Sequence, residues 1–389
     1  MSDLYPLKLP ASFREKIWGK RELGPLLPRH EPAPIGELWF SFEENQIANG
    51  PLRGRTLGSL MTEFGPRLMG TSFRPASISR RSAGQAREPR RAEPGDAQPY
   101  FPNFPILAKF IFSSDQLSVQ VHPGDDYALE HEGGPGKTEA WYIVNAEPGA
   151  RLAIGLTRKL SADELRQAAQ TGEIKNYLNW VEARAGQVFF VPPGTPHTIG
   201  AGLIVCEIQQ NSDLTYRFYD FDRLGDDGEP RDLHIERAVA VTREEPYAGP
   251  QEPFRFPPLS SPDQKWRREL LVACPHFAVE RIEYSEPVSY APDPERAHLL
   301  MFTAGEGRLE TSATQGEGSV SDTGDSAGEH AYRAADAYLI PADAPEFTLV
   351  PDSATTIIRS YLPNVADLQQ QLEAAGAVPD QIRRLLFLS

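Results

Sequence analysis

Pro105-Ile-Leu-Ala-Lys-Phe-Ile-Phe112 and, three residues on, Gln116-Leu-Ser-Val-Gln-Val-His122 are the stretches that decide the fold. Both are short, rich in β-branched and aromatic residues, and bounded by turn formers, a composition that suits strands. Glu139-Ala-Trp-Tyr-Ile-Val144, Gln187-Val-Phe-Phe-Val-Pro192 and Gly202-Leu-Ile-Val-Cys-Glu-Ile208 repeat the pattern. Their spacing predicts a barrel or sandwich of antiparallel strands. One helix interrupts them: Ser161-Ala-Asp-Glu164 has capping-box form, and Leu165, Ala168 and Ala169 give an apolar stripe before Gly172. Ile174 to Val181 reads as a further helical turn, so the helical insertion covers about 161–182.

Upstream, residues 7–69 alternate short apolar runs with Gly and Pro. Ile17-Trp18-Gly19 and Leu38-Trp39-Phe40 suit half-buried strands, and Thr56 to Phe64 is the helical candidate within this region. Thr71 to Pro99 then carries six Arg against three acids with a single Ile, so it is expected to be a flexible, solvated Arg-rich loop at 71–99. Downstream, the Pro-rich stretch 244–262 reads as a linker. A second β block, 263–362, follows, with runs at Phe277–Tyr284, His298–Phe302, Ala337–Pro341, Phe347–Val350 and Thr355–Leu362 and a floppy hairpin tip at 315–328. The tail, 363–389, has helical periodicity. The two blocks echo one another: Gly186-Gln-Val-Phe-Phe-Val-Pro-Pro-Gly-Thr-Pro-His197 aligns with Ala335-Asp-Ala-Tyr-Leu-Ile-Pro-Ala-Asp-Ala-Pro-Glu346. On this alignment Glu346 stands where His197 stands in the first copy, and only the first copy can bind metal in this way.

The 389 residues include 39 basic and 54 acidic side chains, a net charge of −15, which argues against a general nucleic-acid binder. Two cysteines, Cys206 and Cys274, are too few for a disulfide framework. With neither a signal-like N-terminus nor a membrane-length apolar run, the chain reads as cytoplasmic. The second β block can cover the first within one chain, and the protein is read as a monomer.

Gln120 and His122, two apart on one strand, project to the same face, which a barrel turns inward. Glu139 opens a later strand and His197 follows the turn Pro192-Pro-Gly-Thr-Pro196. Two imidazoles, a carboxylate and an amide oxygen form a set able to hold zinc with a position left for substrate or water. The bland alternative has the histidines as hydrogen-bonded structural residues and Glu139 paired with Lys137. Two His and one carboxylate also match the facial triad of a non-haem iron oxygenase, although an amide ligand would occupy a position that such an enzyme keeps open. Around these residues Lys109, Ser118, Lys137, Glu207 and Arg217 could face one cavity and suit a dianionic phosphate. The competing reading has Lys109 snorkelling from the sheet and Arg217 paired with Asp213, Asp220 or Asp222.

Leu117-Ser-Val-Gln-Val-His-Pro-Gly-Asp125, Gly136-Lys-Thr-Glu-Ala-Trp-Tyr142, Val191-Pro-Pro-Gly-Thr-Pro-His-Thr198 and the stretch from Glu207 to Arg217 closely resemble the type I phosphomannose isomerases, a family of zinc-dependent cupins. The resemblance runs from Trp18-Gly19 and Gly36-Glu-Leu-Trp39 through Asp222-Arg223 and more loosely to Leu362. It implies a mainly β protein of two cupin (jelly-roll) domains: a catalytic domain over 1–243, and a metal-free one over 263–362. It further implies one zinc ion per chain, held by Gln120, His122, Glu139 and His197, with Ser118, Lys109, Lys137, Glu207 and Arg217 lining the substrate site. The family interconverts mannose 6-phosphate and fructose 6-phosphate. Aldose–ketose isomerisation moves a proton from C2 to C1 through a cis-enediol, for which Glu207 is the expected base and Lys137 the alternative, with Arg217 on the phosphate or the enediolate. The competing functions are the iron oxygenase and a catalytically inactive sugar-binding cupin, and another aldose 6-phosphate is a competing substrate. The Arg-rich insertion and the helical tail have no place in the family pattern.

Overall fold

The computed structural model describes residues 3–73, 104–225, 228–243, 247, 249–257, 266–311 and 328–387. The Arg-rich loop expected at 71–99 lies outside these residues beyond Phe73, as do the hairpin tip up to residue 327 and part of the 244–262 stretch.

The β-rich runs form two pairs of antiparallel sheets. In the first block a six-stranded sheet runs in the order Ser12–Glu22, His30–Trp39, Ile106–Ser113, Leu203–Gln210, Glu139–Ala146 and Val188–Val191. It faces a five-stranded sheet ordered Tyr216–Tyr219, Val119–Val121, His197–Ile199, Arg151–Leu156 and Leu178–Glu182. Every residue of Ile106–Ser113 and of Leu203–Gln210 is buried, because both faces of these central strands are covered. One face, carrying Ile111, Trp141, Ile143 and Val205, packs onto Leu152, Ile154 and Ile199 of the opposing sheet. The other, carrying Phe110, Phe112, Cys206 and Ile208, joins a core with Leu271, Val279, Leu299, Met301 and Ile358 of the second block. Full burial of each such side chain contributes about 1.5–3 kcal/mol, so the blocks share one large apolar core rather than merely touching.

The second block has a seven-stranded sheet and a four-stranded sheet. Its seven-stranded sheet takes Leu7–Leu9 from the beginning of the chain as an edge strand, with Leu7 opposite Leu339. The described part of 244–262 is also paired: Phe254–Arg255 lies against Trp266–Cys274, and Gln251 bridges to Val188 of the first block.

Helices fall largely where the local signals place them. Thr56 caps Leu57–Phe64 by accepting from Ser59 N, and Ser161 and Glu164 form the reciprocal capping box of Ala162–Gln170. Val365–Ala374 and Pro379–Leu385 form the tail, packing Leu368, Leu372 and Leu385 onto the second block's outer face. The helical reading of 174–181 holds only for Ile174–Tyr177. Leu178–Glu182 instead pairs with Arg151–Leu156, where Trp180 and Val181 suit a sheet surface and the edge supplies backbone partners.

The internal repeat extends to the backbone. Gly186 and Ala335, aligned by sequence, both adopt left-handed conformations with φ of 86° and 70°. Their amides donate to Ile143 O at 2.8 Å and Phe302 O at 2.9 Å, in strands that occupy the same place in each sheet. Glu346 is exposed and paired with Ser289, far in character from the buried His197 that it replaces.

Candidate active site and metal centre

The inward face of the first block gathers the polar residues. His197 is directly opposite Gln120, which is opposite Arg217 on its other side, so one row across the five-stranded sheet carries all three. In the facing sheet Glu207 lies between Lys109 and Trp141. Glu139 opens its strand on the same side as Trp141, two residues on.

His122, Glu139 and His197 are each 1% exposed or less, and their ligand atoms lie within 4.8 Å of one another. Each histidine donates through Nδ1 to a backbone carbonyl, His122 to Leu214 O and His197 to Thr195 O, both at 2.8 Å. A carbonyl can only accept, so this fixes the tautomer and leaves a lone pair on each Nε2. Those lone pairs meet carboxylate oxygens: His122 Nε2 is 3.2 Å from Glu139 Oε1, and His197 Nε2 is 3.7 Å from Glu139 Oε2. Burial and the nearby Lys137 charge push the His122 pKa down to about 3, and burial lowers that of His197, so both rings are neutral. Burial alone would raise Glu139; Lys137, with Nζ 2.8 Å from Oε1, and the two histidines outweigh it and hold the group well below the usual carboxylate range.

The result is a cluster of acceptors facing one another. Among the described residues His122 Nε2 and Glu139 Oε2 are buried without a hydrogen bond, and Oε1 meets only the Lys137 ammonium, a costly arrangement that a further cation would relieve. The two histidine–carboxylate separations, 3.2 and 3.7 Å, lie near the roughly 3.4 Å edges of a tetrahedron with metal–ligand bonds of about 2.1 Å. Gln120 lies beside the set. Its amide nitrogen is 3.3 Å from His197 Nε2, and exchanging the two amide ends presents the oxygen there instead.

Beside this cluster is a cavity of about 250 Å3 bordered by Ser118, Gln120, Lys109, Lys137, Glu207 and Arg217. All of the residues singled out from the sequence are therefore brought to one place. Lys109 does not snorkel: it is 1% exposed, with Nζ 3.7 Å from Glu207 Oε2, 3.9 Å from Asp213 Oδ1 and 4.4 Å above the Trp39 ring. Glu207 accepts from Trp141 Nε1 at 2.9 Å, and burial, reinforced by Glu139, raises its pKa to about 7. In Lys137 burial opposes the charge, but Glu139 and Glu207 prevail and raise its pKa, so it remains an ammonium. Arg217 is not held by Asp213, Asp220 or Asp222. It donates to Asp232 O at 2.7 Å, and its buried Nε has no partner.

Several lining residues carried weaker signals. Glu37 lies in the Gly36-Glu-Leu-Trp39 motif and shares the parity of Trp39, whose indole donates to it at 2.9 Å. Burial would raise its pKa, but Lys109 and Lys16 lower it overall. Asp213 and Thr215 belong to the stretch before Arg217, whereas Lys16 and Arg231 had no motif to mark them.

No protein-family model matches the chain. Relatives do. The mannose-6-phosphate isomerase of Streptococcus mutans is 35% identical over 318 residues, covering 80% of this chain and 88% of that protein. A mannose-6-phosphate isomerase of Bacillus subtilis is 31% identical over 309 residues, 78% of this chain and 87% of the relative. Among solved structures, the mannose 6-phosphate isomerase from Bacillus subtilis superimposes with a TM-score of 0.71 at 27% identity, over 92% of this chain and 99% of that one. A putative mannosephosphate isomerase from Archaeoglobus fulgidus shares the fold, with a TM-score of 0.63 at 18% identity over 93% of this chain and 99% of that one. With homology this extensive, this chain belongs to the mannose-6-phosphate isomerase family.

Proposed function

We propose that the chain interconverts D-mannose 6-phosphate and D-fructose 6-phosphate in the cavity beside His122, Glu139 and His197. The observation that carries this reading is that cluster of buried, mutually facing acceptors next to a carboxylate, in a member of this family. Gln120, His122, Glu139 and His197 would hold one zinc ion per chain. Bound there, zinc supplies Lewis-acid stabilisation for negative charge developing on the sugar oxygens, an effect of several kcal/mol.

The protein's own groups supply the rest. Glu207 is the base: it takes the proton from C2 of the open-chain aldose and returns it to C1, while a second proton passes from O2 to O1. Its carboxyl, raised to about 7, is poised both to accept and to return a proton at neutral pH. Trp141 fixes one oxygen, leaving Oε2 toward Lys109 and the cavity. Lys137 is assigned to the enediolate as a fixed ammonium, and Ser118, Lys109 and Arg217 to orienting the substrate and its phosphate. Trp18, Ile111, Leu117, Trp141 and Ile199 form the apolar part of the lining.

On the same reading the chain divides into a catalytic cupin domain over 1–243, a connecting stretch over 244–262, a metal-free cupin domain over 263–362 and a helical tail over 363–389, with Leu7–Leu9 lent to the second domain's sheet. Two free, buried cysteines support a reducing, cytoplasmic setting, and the shared core supports a monomer. Metal analysis of the purified protein together with a coupled assay tests the proposal. Zinc at one equivalent and conversion of mannose 6-phosphate are expected; zinc-replete protein with no isomerase activity would overturn it, as would bound iron with oxygen uptake.

A further inference from the structure

The deep and the outer walls of the cavity differ in charge balance. At the deep end each lysine has a carboxylate: Lys109 has Glu207 and Lys137 has Glu139. At the outer end, among the described residues, the guanidinium groups of Arg217, Arg223 and Arg231 stand around a single buried carboxylate, Asp220. Asp220, 5% exposed, accepts from Arg231 Nε at 2.6 Å and from Arg231 Nη2, and also from Arg223 Nη2 at 2.8 Å. Arg217 has only a neutral carbonyl and an unpartnered Nε. With Arg223 also reaching Asp115 Oδ2 at 3.4 Å and Arg231 paired with Asp220, Arg217 is the guanidinium left without a carboxylate among the described residues, at a place that Arg217 and Arg231 both line.

The backbone is built to hold Arg231 there. His234 brackets Arg217, donating its amide to Arg217 O at 2.8 Å and accepting from Arg217 N at Nδ1 at 3.3 Å, so the segment 231–234 runs alongside the Arg217 strand. Phe221 and Asp222 are both left-handed, with φ of 57° and 54°, a conformation costing about 1–2 kcal/mol in each non-glycine residue. This turn presents the Asp220 carboxylate to Arg223 and Arg231 together. Asp220 occupies one edge of the Arg231 guanidinium, and Nη1 has no partner among the described residues.

We propose that Arg231, oriented by Asp220, is a specificity-determining residue that binds the substrate's phosphate jointly with Arg217, selecting phosphorylated over free aldose. The inference rests on the isomerase reading and deepens it. A phosphate monoester carries nearly two negative charges at neutral pH and offers acceptors to the Arg217 guanidinium and to Nη1 of Arg231. A planar fork offers it directional donors that a lysine does not. The arrangement also orients the sugar. The phosphate end is held at the outer wall, and C1 and C2 point inward, toward Glu207 and the ligand cluster.

The test compares wild type with Arg231→Leu and Arg231→Lys, all zinc-loaded. Arg231→Leu is expected to raise KM for mannose 6-phosphate at least about tenfold with kcat within about threefold, and to raise the Ki of inorganic phosphate in parallel. Arg231→Lys, which keeps the charge opposite Asp220 and so protects folding, should fall between the two. Unchanged KM and phosphate affinity in either folded variant would overturn the proposal. Calorimetric binding of inorganic phosphate to wild type and variants reads Arg231 without turnover. An inactive wild type whose phosphate binding still depends on Arg231 would therefore sink the isomerase reading and leave this one standing.

Discussion

Replacing Glu207 with Gln separates the chemistry from the scaffold. The amide keeps an oxygen for the Trp141 indole at 2.9 Å and cannot accept a proton. Glu207 makes no contact with His122, Glu139 or His197, so zinc content should stay at the wild-type level. Turnover should fall by at least about a hundredfold, the lower end of what a positioned acid–base group contributes. With the wild-type carboxyl at about 7, kcat should rise about tenfold between pH 6 and pH 8, as the ionised fraction rises from roughly a tenth to nine tenths. Stability runs the other way. A carboxyl whose folded pKa lies above its unfolded value of about 4.3 stabilises the fold below that value, and the contribution is lost as pH rises through 7. At pH 8 the ionised group therefore costs up to about 4 kcal/mol, so metal-free Glu207→Gln should melt no lower than metal-free wild type, and higher if Lys109 tolerates the amide. The assays are a coupled spectrophotometric rate, metal analysis and thermal unfolding at pH 8. Near-normal turnover, or a flat kcat profile from pH 6 to 8, would refute the assignment of the base.

Chelation should abolish turnover and lower the melting temperature, with zinc restoring both; zinc at a hundred times its Kd stabilises by about 2.7 kcal/mol. His197→Ala should lose the metal under conditions where wild type retains it, and chelator-insensitive turnover would exclude the metal centre. At the repeated turn, Ala335→Gly should stabilise by about 1 kcal/mol and Gly186→Ala should destabilise by about as much. The new Cβ at Gly186 meets only Arg281 Nη1 at 3.5 Å, so φ alone is at issue, and opposite signs in urea denaturation are the required result. Glu280→Ala should cost about 3–5 kcal/mol by leaving the buried Arg359 and the half-buried Arg268 without their carboxylate, with zinc content unchanged. Because those arginines hold the Glu280 pKa far down against its burial, its contribution is present above the unfolded value of about 4.3 and fades as the solution is acidified. A loss below about 1 kcal/mol would contradict that role.

The alternation of Gln120 with His122, the strand-opening Glu139 and the turn before His197 make the gathering of these four side chains legible, because strand parity and turn placement are local properties. The lysine inside an apolar run, Lys109, was visible as an anomaly, but its pairing with Glu207 depends on the register of two strands about a hundred residues apart. Arg231 was invisible for a related reason. Its place is set by a left-handed turn at Phe221 and Asp222 and by hydrogen bonds from His234, none of which leaves a periodic trace. The strand at 178–182 was misread because an edge of a sheet offered partners that local propensity does not encode.

The duplicated architecture shows how little of the active site resides in the fold. The strands are in corresponding register in both copies, so Lys109 opposite Glu207 corresponds to Glu280 opposite Arg359, and Glu139 opposite Val191 to His298 opposite Ile340. The second copy thus places an ion pair of reversed polarity at the same point of the same scaffold. There the polar groups are finished: Glu280 accepts from Arg268, Arg359 and Tyr361, and Tyr290 engages both His298 and Arg359. In the first copy they are unfinished, with lone pairs on His122 and Glu139 converging and a cavity between Lys109 and Arg217. A saturated network stabilises and excludes ligands, whereas an unsaturated one carries a free-energy cost that a metal and a substrate relieve. Which of the two a barrel becomes is decided by a few inward-facing side chains whose polar groups are left for a ligand to complete.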